Sequence, residues 1–219
     1  MRYFVDQVNS SFASNFSSDS KNTGPAPSLF DTAGNRKYLT VAERGKFLCA
    51  GKARTSRVRT FCLTLAYSGA RISEALALTP RRFDFSAHLV IVESLKKRRR
   101  GVFRGIPLPV DILTELDRVH HIRRAQQDPS LIDERIWKWS RTTAWKRVKE
   151  CMAFAEISGP KASPKGLRHA FGVGVLQAGV PINLLKKWLG HARLSTTEIY
   201  ADAIGAEEQT MASKFWQTF

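Results

Sequence analysis

Apolar residues recur at helical spacing through most of this chain, and Pro, Gly and capping residues divide them into segments. Thr40 followed three residues later by Glu43 is a capping-box signature, so a helix is predicted from Val41 to Ala50. Arg57 to Tyr67 carries a mainly apolar face and predicts a second helix, broken at Ser68-Gly69. A short helix follows from Arg71 to Leu78, closed by Pro80. Leu89 to Glu93 is apolar and β-branched and predicts a strand, with Val102 to Leu108 as its partner across a basic hairpin loop. Val110 to Gln126 and Arg141 to Ile157 again have helical periodicity. Pro164 suits the first turn of a helix ending near Gly179, and Pro181 opens another that stops at Gly190. Ser195 is the expected cap of a short helix carrying Tyr200, and Ala206 to Trp216 forms the last helix. These segments predict a mainly α fold with a small antiparallel β-sheet, an α+β domain.

Residues 1–36 break the pattern. They are rich in Ser, Asn, Asp and Gly and predict a flexible N-terminal arm, with order beginning near Tyr38 and one domain over 37–219. The formal net charge is +16. Residues 1–36 balance to zero and residues 202–219 net −2, so the body over 37–201 carries +18. A folded body this basic predicts an anionic polymer as partner. Cys49, Cys62 and Cys151 are too far apart for a zinc motif or a disulfide frame, which suits a reducing compartment. No apolar run reaches membrane-spanning length, no signal-peptide core is present, and a soluble cytoplasmic protein is expected. No phosphate-binding loop of the ATPase type occurs, so ATP hydrolysis is not indicated; no cofactor or metal is expected.

The chemistry concentrates in two stretches, LRHAFGV from Leu167 and LGHARLSTTEIY from Leu189 to Tyr200. A free phenol is a weak nucleophile at neutral pH. It becomes effective when cations surround the phosphate it attacks and stabilise charge on the non-bridging oxygens. Arginine suits this because its planar fork binds two oxygens and keeps its proton. Arg71, Arg168 and His191 are the candidate phosphate ligands, with Tyr200 as nucleophile. Lys96, first in the run Lys96-Lys97-Arg98-Arg99-Arg100, is the candidate acid for the leaving oxygen.

These boxes resemble the catalytic domain of the tyrosine recombinases, the phage-integrase family. SGARISE supplies the first arginine, Arg71, with Glu74 as a bracing residue. KGLRH, Lys165 to His169, corresponds to the second box, and Leu189-Gly190-His191 to the third, with Tyr200 nine residues beyond His191. The resemblance spans roughly Tyr38 to Trp216. It implies a site-specific DNA recombinase working through a 3′-phosphotyrosyl intermediate, on double-stranded DNA, as a homotetramer associated with the nucleoid. Catalytic roles are implied for Arg71, Lys96 (with Lys97 as the alternate), Lys165, Arg168, His191 and Tyr200, and a supporting role for His169. Lys97, Arg98, Arg99, Arg100, Arg104, Arg141 and Lys146 are expected DNA contacts.

The chain departs from the family pattern in two places. Lys165 replaces the first histidine of the second box; it can donate to a phosphate but is not a base at neutral pH. The short stretch before Tyr38 leaves no room for the helical domain with which most members clamp DNA, so an accessory protein supplying that clamp is expected. Two other readings stay open at this point: a DNA-binding regulator that keeps the fold with weak or no catalysis, and a type IB topoisomerase. Among Trp137, Trp139 and Trp145, which stand among basic residues and either interleave with DNA or pack inside, at least one is expected in the core.

Overall fold

The computed structural model describes residues 28–95, 101–201, 213 and 215–217. Its elements run α1 (Val41–Lys52), α2 (Ser56–Ser68), α3 (Ile72–Leu76), β1 (Phe83–Asp84), β2 (Leu89–Glu93), β3 (Phe103–Pro107), α4 (Val110–His120), α5 (Ile122–Gln126), α6 (Arg141–Phe154), α7 (Pro164–Gln177), α8 (Ile182–Leu189) and α9 (Ser195–Glu198), with a 3-10 turn at Pro80–Arg82. The fold is mainly helical, with one antiparallel sheet in the order β1-β2-β3.

The helix starts follow local chemistry. The Thr40 hydroxyl accepts from the Glu43 amide at 3.2 Å while the Glu43 carboxylate accepts from the Thr40 amide at 2.8 Å. Ser140 and Ser163 cap α6 and α7 by accepting from Thr143 N and Gly166 N, and Pro164 occupies the first turn of α7. Along β2 the burial alternates, so Val90 and Val92 face inward and pair with Ile106 and Arg104 of β3.

Two apolar clusters result. The larger gathers Phe47, Phe61, Leu65, Val90, Ile106, Leu116, Trp137 and Met152 from α1 to α6 and the sheet. Trp137 lies inside it and donates from Nε1 to the Arg57 carbonyl at 3.0 Å, whereas Trp145 is exposed. Cys62 and Cys151 meet there as free thiols, 3.7 Å apart. The smaller cluster is built on α7 and α8 and contains Leu29, Phe171, Val173, Leu176, Leu185, Leu189, Ile199 and Tyr200.

The structure corrects four expectations. The helix predicted over Val110 to Gln126 is two helices, because His121 adopts a left-handed conformation (φ 52°) that ends α4 and turns Ile122 and Ala125 into the core. Order begins before Tyr38: Leu29 is buried and Phe30 bridges to Arg36, so residues 28–36 fold onto the body. Strand β1, only two residues long, was not anticipated. Ser195 is the first residue of α9 and not its cap, and Tyr200 lies just beyond the helix end. Residues 1–27 of the expected arm, and most of the helix expected from Ala206 to Trp216, lie outside the described residues.

Candidate active site

Arg71 stands where α2 ends and α3 begins. The chain reverses there through Gly69, whose left-handed backbone (φ 59°) favours glycine and where a side chain would strike Phe171 at 2.4 Å. Glu74 then fixes Arg71 twice, accepting from its backbone N at 2.9 Å and from Nη1 at 2.7 Å. Glu74 is itself only 2% exposed and also accepts from Arg104 Nη2 at 2.6 Å. Burial pushes its carboxyl pKa upward, but Arg104 and Arg71 outweigh that and hold it below the usual range, so it is a carboxylate.

Arg168, on α7 and 7% exposed, reaches across two helix ends. Its Nη1 donates to the Gly69 carbonyl at 2.7 Å and its Nη2 to the Leu189 carbonyl at 2.6 Å. The same Nη2 lies 3.1 Å from His191 Nε2. Burial, with Arg71 nearby, lowers the guanidinium to about 10, so it stays charged at neutral pH. A guanidinium can only donate, so His191 Nε2 accepts, and its Nδ1–H donates to Thr197 Oγ1 at 3.0 Å. Burial first, then Arg168 and Arg71, push His191 down to about 3, which makes it a neutral imidazole.

Tyr200 is 1% exposed. Its ring lies parallel to the His191 ring, with centroids 6.3 Å apart, and packs on Gly172, where a Cβ would come within 2.6 Å of it. Its hydroxyl lies 3.2 Å from His169 Nδ1. Burial raises the phenol pKa against the opposing pull of Arg168 and Arg71. Arg168, the neutral His191 and Tyr200 thus form one connected group, with Arg71 near enough to act on each electrostatically.

The sequence pattern of the phage integrase family matches residues 37–206. The chain belongs to that family. It is 34% identical over 169 residues to tyrosine recombinase XerA of Pyrococcus furiosus, covering 75% of this chain and 56% of that protein. The fold matches the crystal structure of XerA recombinase with a TM-score of 0.66 at 22% identity, over 81% of this chain and 64% of that one. It also matches XerH site-specific recombinase bound to palindromic difH substrate, a post-cleavage complex, with a TM-score of 0.67 at 21% identity, over 85% of this chain and 56% of that one. The chain spans little more than half the length of the curated relatives it matches.

Within this phage integrase domain the expected residues separate into three groups. Arg71, Glu74, Arg168, His169, His191 and Tyr200 come together as described. Lys165 is exposed on the first turn of α7, one turn from His169, and Arg141 and Lys146 are exposed on α6. Lys96, Lys97, Arg98, Arg99 and Arg100 lie outside the described residues, although Ser94 at the base of their hairpin touches Arg104 at 2.9 Å.

Arg104 is a correction. It was expected to meet DNA, yet it is 6% exposed and its nitrogens are taken by Glu74, Ser94 and the Trp188 carbonyl. Strand alternation places it on the inward face beside Ile106, and the buried Glu74 carboxylate makes that position tolerable for a cation. Its role is to tie β3 to α3 and α8. Thr197 and Gly172 were missed by sequence reasoning. Only the placement of Thr197 six residues after His191, on the segment leading to Tyr200, hinted at the first.

Proposed function

We propose that this chain is the catalytic part of a site-specific DNA recombinase, acting on double-stranded DNA. Tyr200 attacks a backbone phosphorus and forms a 3′-phosphotyrosyl link, while Arg71 and Arg168 bind the non-bridging oxygens, His191 holds Arg168 in place by accepting from its Nη2, and Lys165 assists. Lys96 protonates the leaving 5′ oxygen. A 5′ hydroxyl from another strand then reverses the step, and the covalent link conserves the bond energy. The observation that carries the reading is the convergence of Arg168, His191 and Tyr200 through a hydrogen bond and a ring contact, with Arg71 near enough to act on all three electrostatically. The strongly basic body supports DNA as partner, as does the likeness to a recombinase solved on its DNA substrate. Four copies on two duplexes form the working assembly.

A nicked duplex that loses its cleaved fragment tests this. The wild-type chain should accumulate a covalent protein–DNA adduct, and Tyr200→Phe should form none. Wild type and Tyr200→Phe giving the same result would refute it. A second reading, a DNA-binding regulator with the same fold, is favoured by one observation, the burial of Tyr200. Equal affinity of both proteins for DNA, with no adduct on any substrate, would select it.

A further inference from the structure

The Tyr200 phenol must lose its proton as its oxygen bonds to phosphorus, and the surroundings restrict where that proton goes. His191 has both nitrogens engaged, by Arg168 and Thr197, and its ring is stacked on the phenol ring. Lys165 is exposed, and an ammonium has no lone pair to offer. Arg71 and Arg168 are cations that keep their protons. Among the described residues, the hydrogen-bond partner of the phenol oxygen is His169 Nδ1, at 3.2 Å.

We infer that His169 is the general base for Tyr200, an assignment that rests on the strand-transfer reading above. The phenol oxygen forms its bond to phosphorus, its proton passes to the Nδ1 lone pair, and the bond from phosphorus to the 5′ oxygen breaks. That 5′ oxygen takes a proton from a separate acid, for which Lys96 is the candidate. On rejoining, the incoming 5′ hydroxyl displaces the phenol oxygen, which recovers its proton from the His169 imidazolium.

This requires the tautomer with hydrogen on Nε2 and a bare Nδ1. His169 Nε2 is buried and has no hydrogen-bond partner among the described residues. A buried histidine with a purely structural role ordinarily has both nitrogens paired, and an orphan nitrogen calls for an explanation such as chemistry at the other one. The groups facing the ring are Lys165 and Arg168 on its own helix, Lys37 ahead of α1, and Tyr200 and His191 from the segment after α8. Burial first, then Lys165, Arg168 and Lys37, hold the imidazole down at about 4, so Nδ1 is unprotonated at neutral pH. A bound phosphate offsets those cations and moves the imidazole back toward its ordinary value, making it a stronger base when it is needed.

The test follows adduct formation by the full chain on a labelled pool of nicked duplexes of randomised sequence, between about pH 5 and about pH 9. Wild type should be level near neutrality and lose rate tenfold per pH unit below the imidazole pKa. His169→Asn should be slower by about 10²–10⁴-fold near pH 7 and should climb tenfold per unit toward alkaline pH, where hydroxide replaces the base. Lys165→Gln should lose rate without changing the shape of the wild-type pH dependence. A His169→Asn loss of equal size at every pH overturns the assignment, as does an alkaline climb in Lys165→Gln. No adduct from wild type at any pH sinks the strand-transfer reading itself. A second measurement needs neither DNA nor a variant: nitrogen NMR of the imidazole should show hydrogen on Nε2, and hydrogen on Nδ1 overturns the assignment.

Discussion

The larger apolar cluster, spread over α1 to α6, the sheet and the first half of α7, contains no group that the proposed chemistry uses, whereas the smaller one counts the nucleophile among its members. The arginines belong to neither. Arg71 and Arg168 are held by a carboxylate and by carbonyls at helix ends, so their positions depend on where α2, α3 and α8 stop. Tyr200 is held by packing against Gly172 and His191. The hold on Arg71, and on the Gly69 side of Arg168, therefore rests on backbone that the large cluster supports, whereas the Leu189 carbonyl that also holds Arg168 belongs to the smaller one. The nucleophilic half depends on a small cluster that can open at lower free energy. Arg104 is the connection between them, bonded to Glu74 on one side and to the Trp188 carbonyl on the other.

Breaking the smaller cluster's chemistry without its packing gives the largest effect. Tyr200→Phe should abolish the covalent adduct and yet cost about 1 kcal/mol or less in urea unfolding, since it removes one hydroxyl with one hydrogen bond. Breaking the connection comes next. Glu74→Gln leaves Arg104 buried without its counter-charge and should cost about 3–5 kcal/mol by urea unfolding. The two clusters can also be opened separately. Phe61→Ala should cost about 3–5 kcal/mol and reduce amide protection throughout. Leu185→Ala should reduce hydrogen-exchange protection in α8 and α9 while α2 keeps its own.

Acidification sharpens the same contrast. His120 sits against the larger cluster with a pKa lowered to about 4, chiefly by burial, while His169 and His191 border the smaller one at about 4 and about 3. In the unfolded chain each takes a proton as pH falls through about 6.5, and in the folded chain none does until much lower. The unfolded state then binds more protons, so stability is full near neutrality and falls from about pH 6.5 toward about pH 4. Hydrogen exchange near the two ends of that range should show the region around α7 to α9 losing protection before α2. Glu74, held below its usual range, adds to the loss only at the acidic end, as pH drops below about 4.5. The smallest effects belong outside both clusters. Arg141→Ala and Lys146→Ala should change stability by no more than about 0.5 kcal/mol. Each should lower the salt dependence of DNA binding by about one phosphate contact.

Much of this was legible in the sequence, for identifiable reasons. Leu89 to Glu93 was read as a strand because it is a short apolar run rich in β-branched residues. Thr40 and Glu43 announced α1 because their capping bonds are local. Arg71, Arg168, His191 and Tyr200 were legible because their spacing reflects helices of fixed length. What was not legible depended on contacts between distant segments. Nothing at His121 marks a break, since neither Gly nor Asn occupies the left-handed position; burial of Ile122 accompanies the turn. Arg104 lies close to a basic run, and only the pairing of Val92 with Arg104 shows that it faces inward. The burial of Tyr200 was equally silent, because it arises from Gly172 on another helix.

That burial bears on fidelity. A genome offers a DNA-binding protein on the order of 10⁶–10⁹ competing sites, each with the same phosphate chemistry as the right one. A phenol that is 1% exposed does not meet the phosphates that the arginines attract during such a search. On the proposed chemistry, wrong DNA can be held as tightly as charge allows and still leave uncut. Discrimination then resides in the step that brings a phosphate to the Tyr200 oxygen, which only the correct assembly needs to favour.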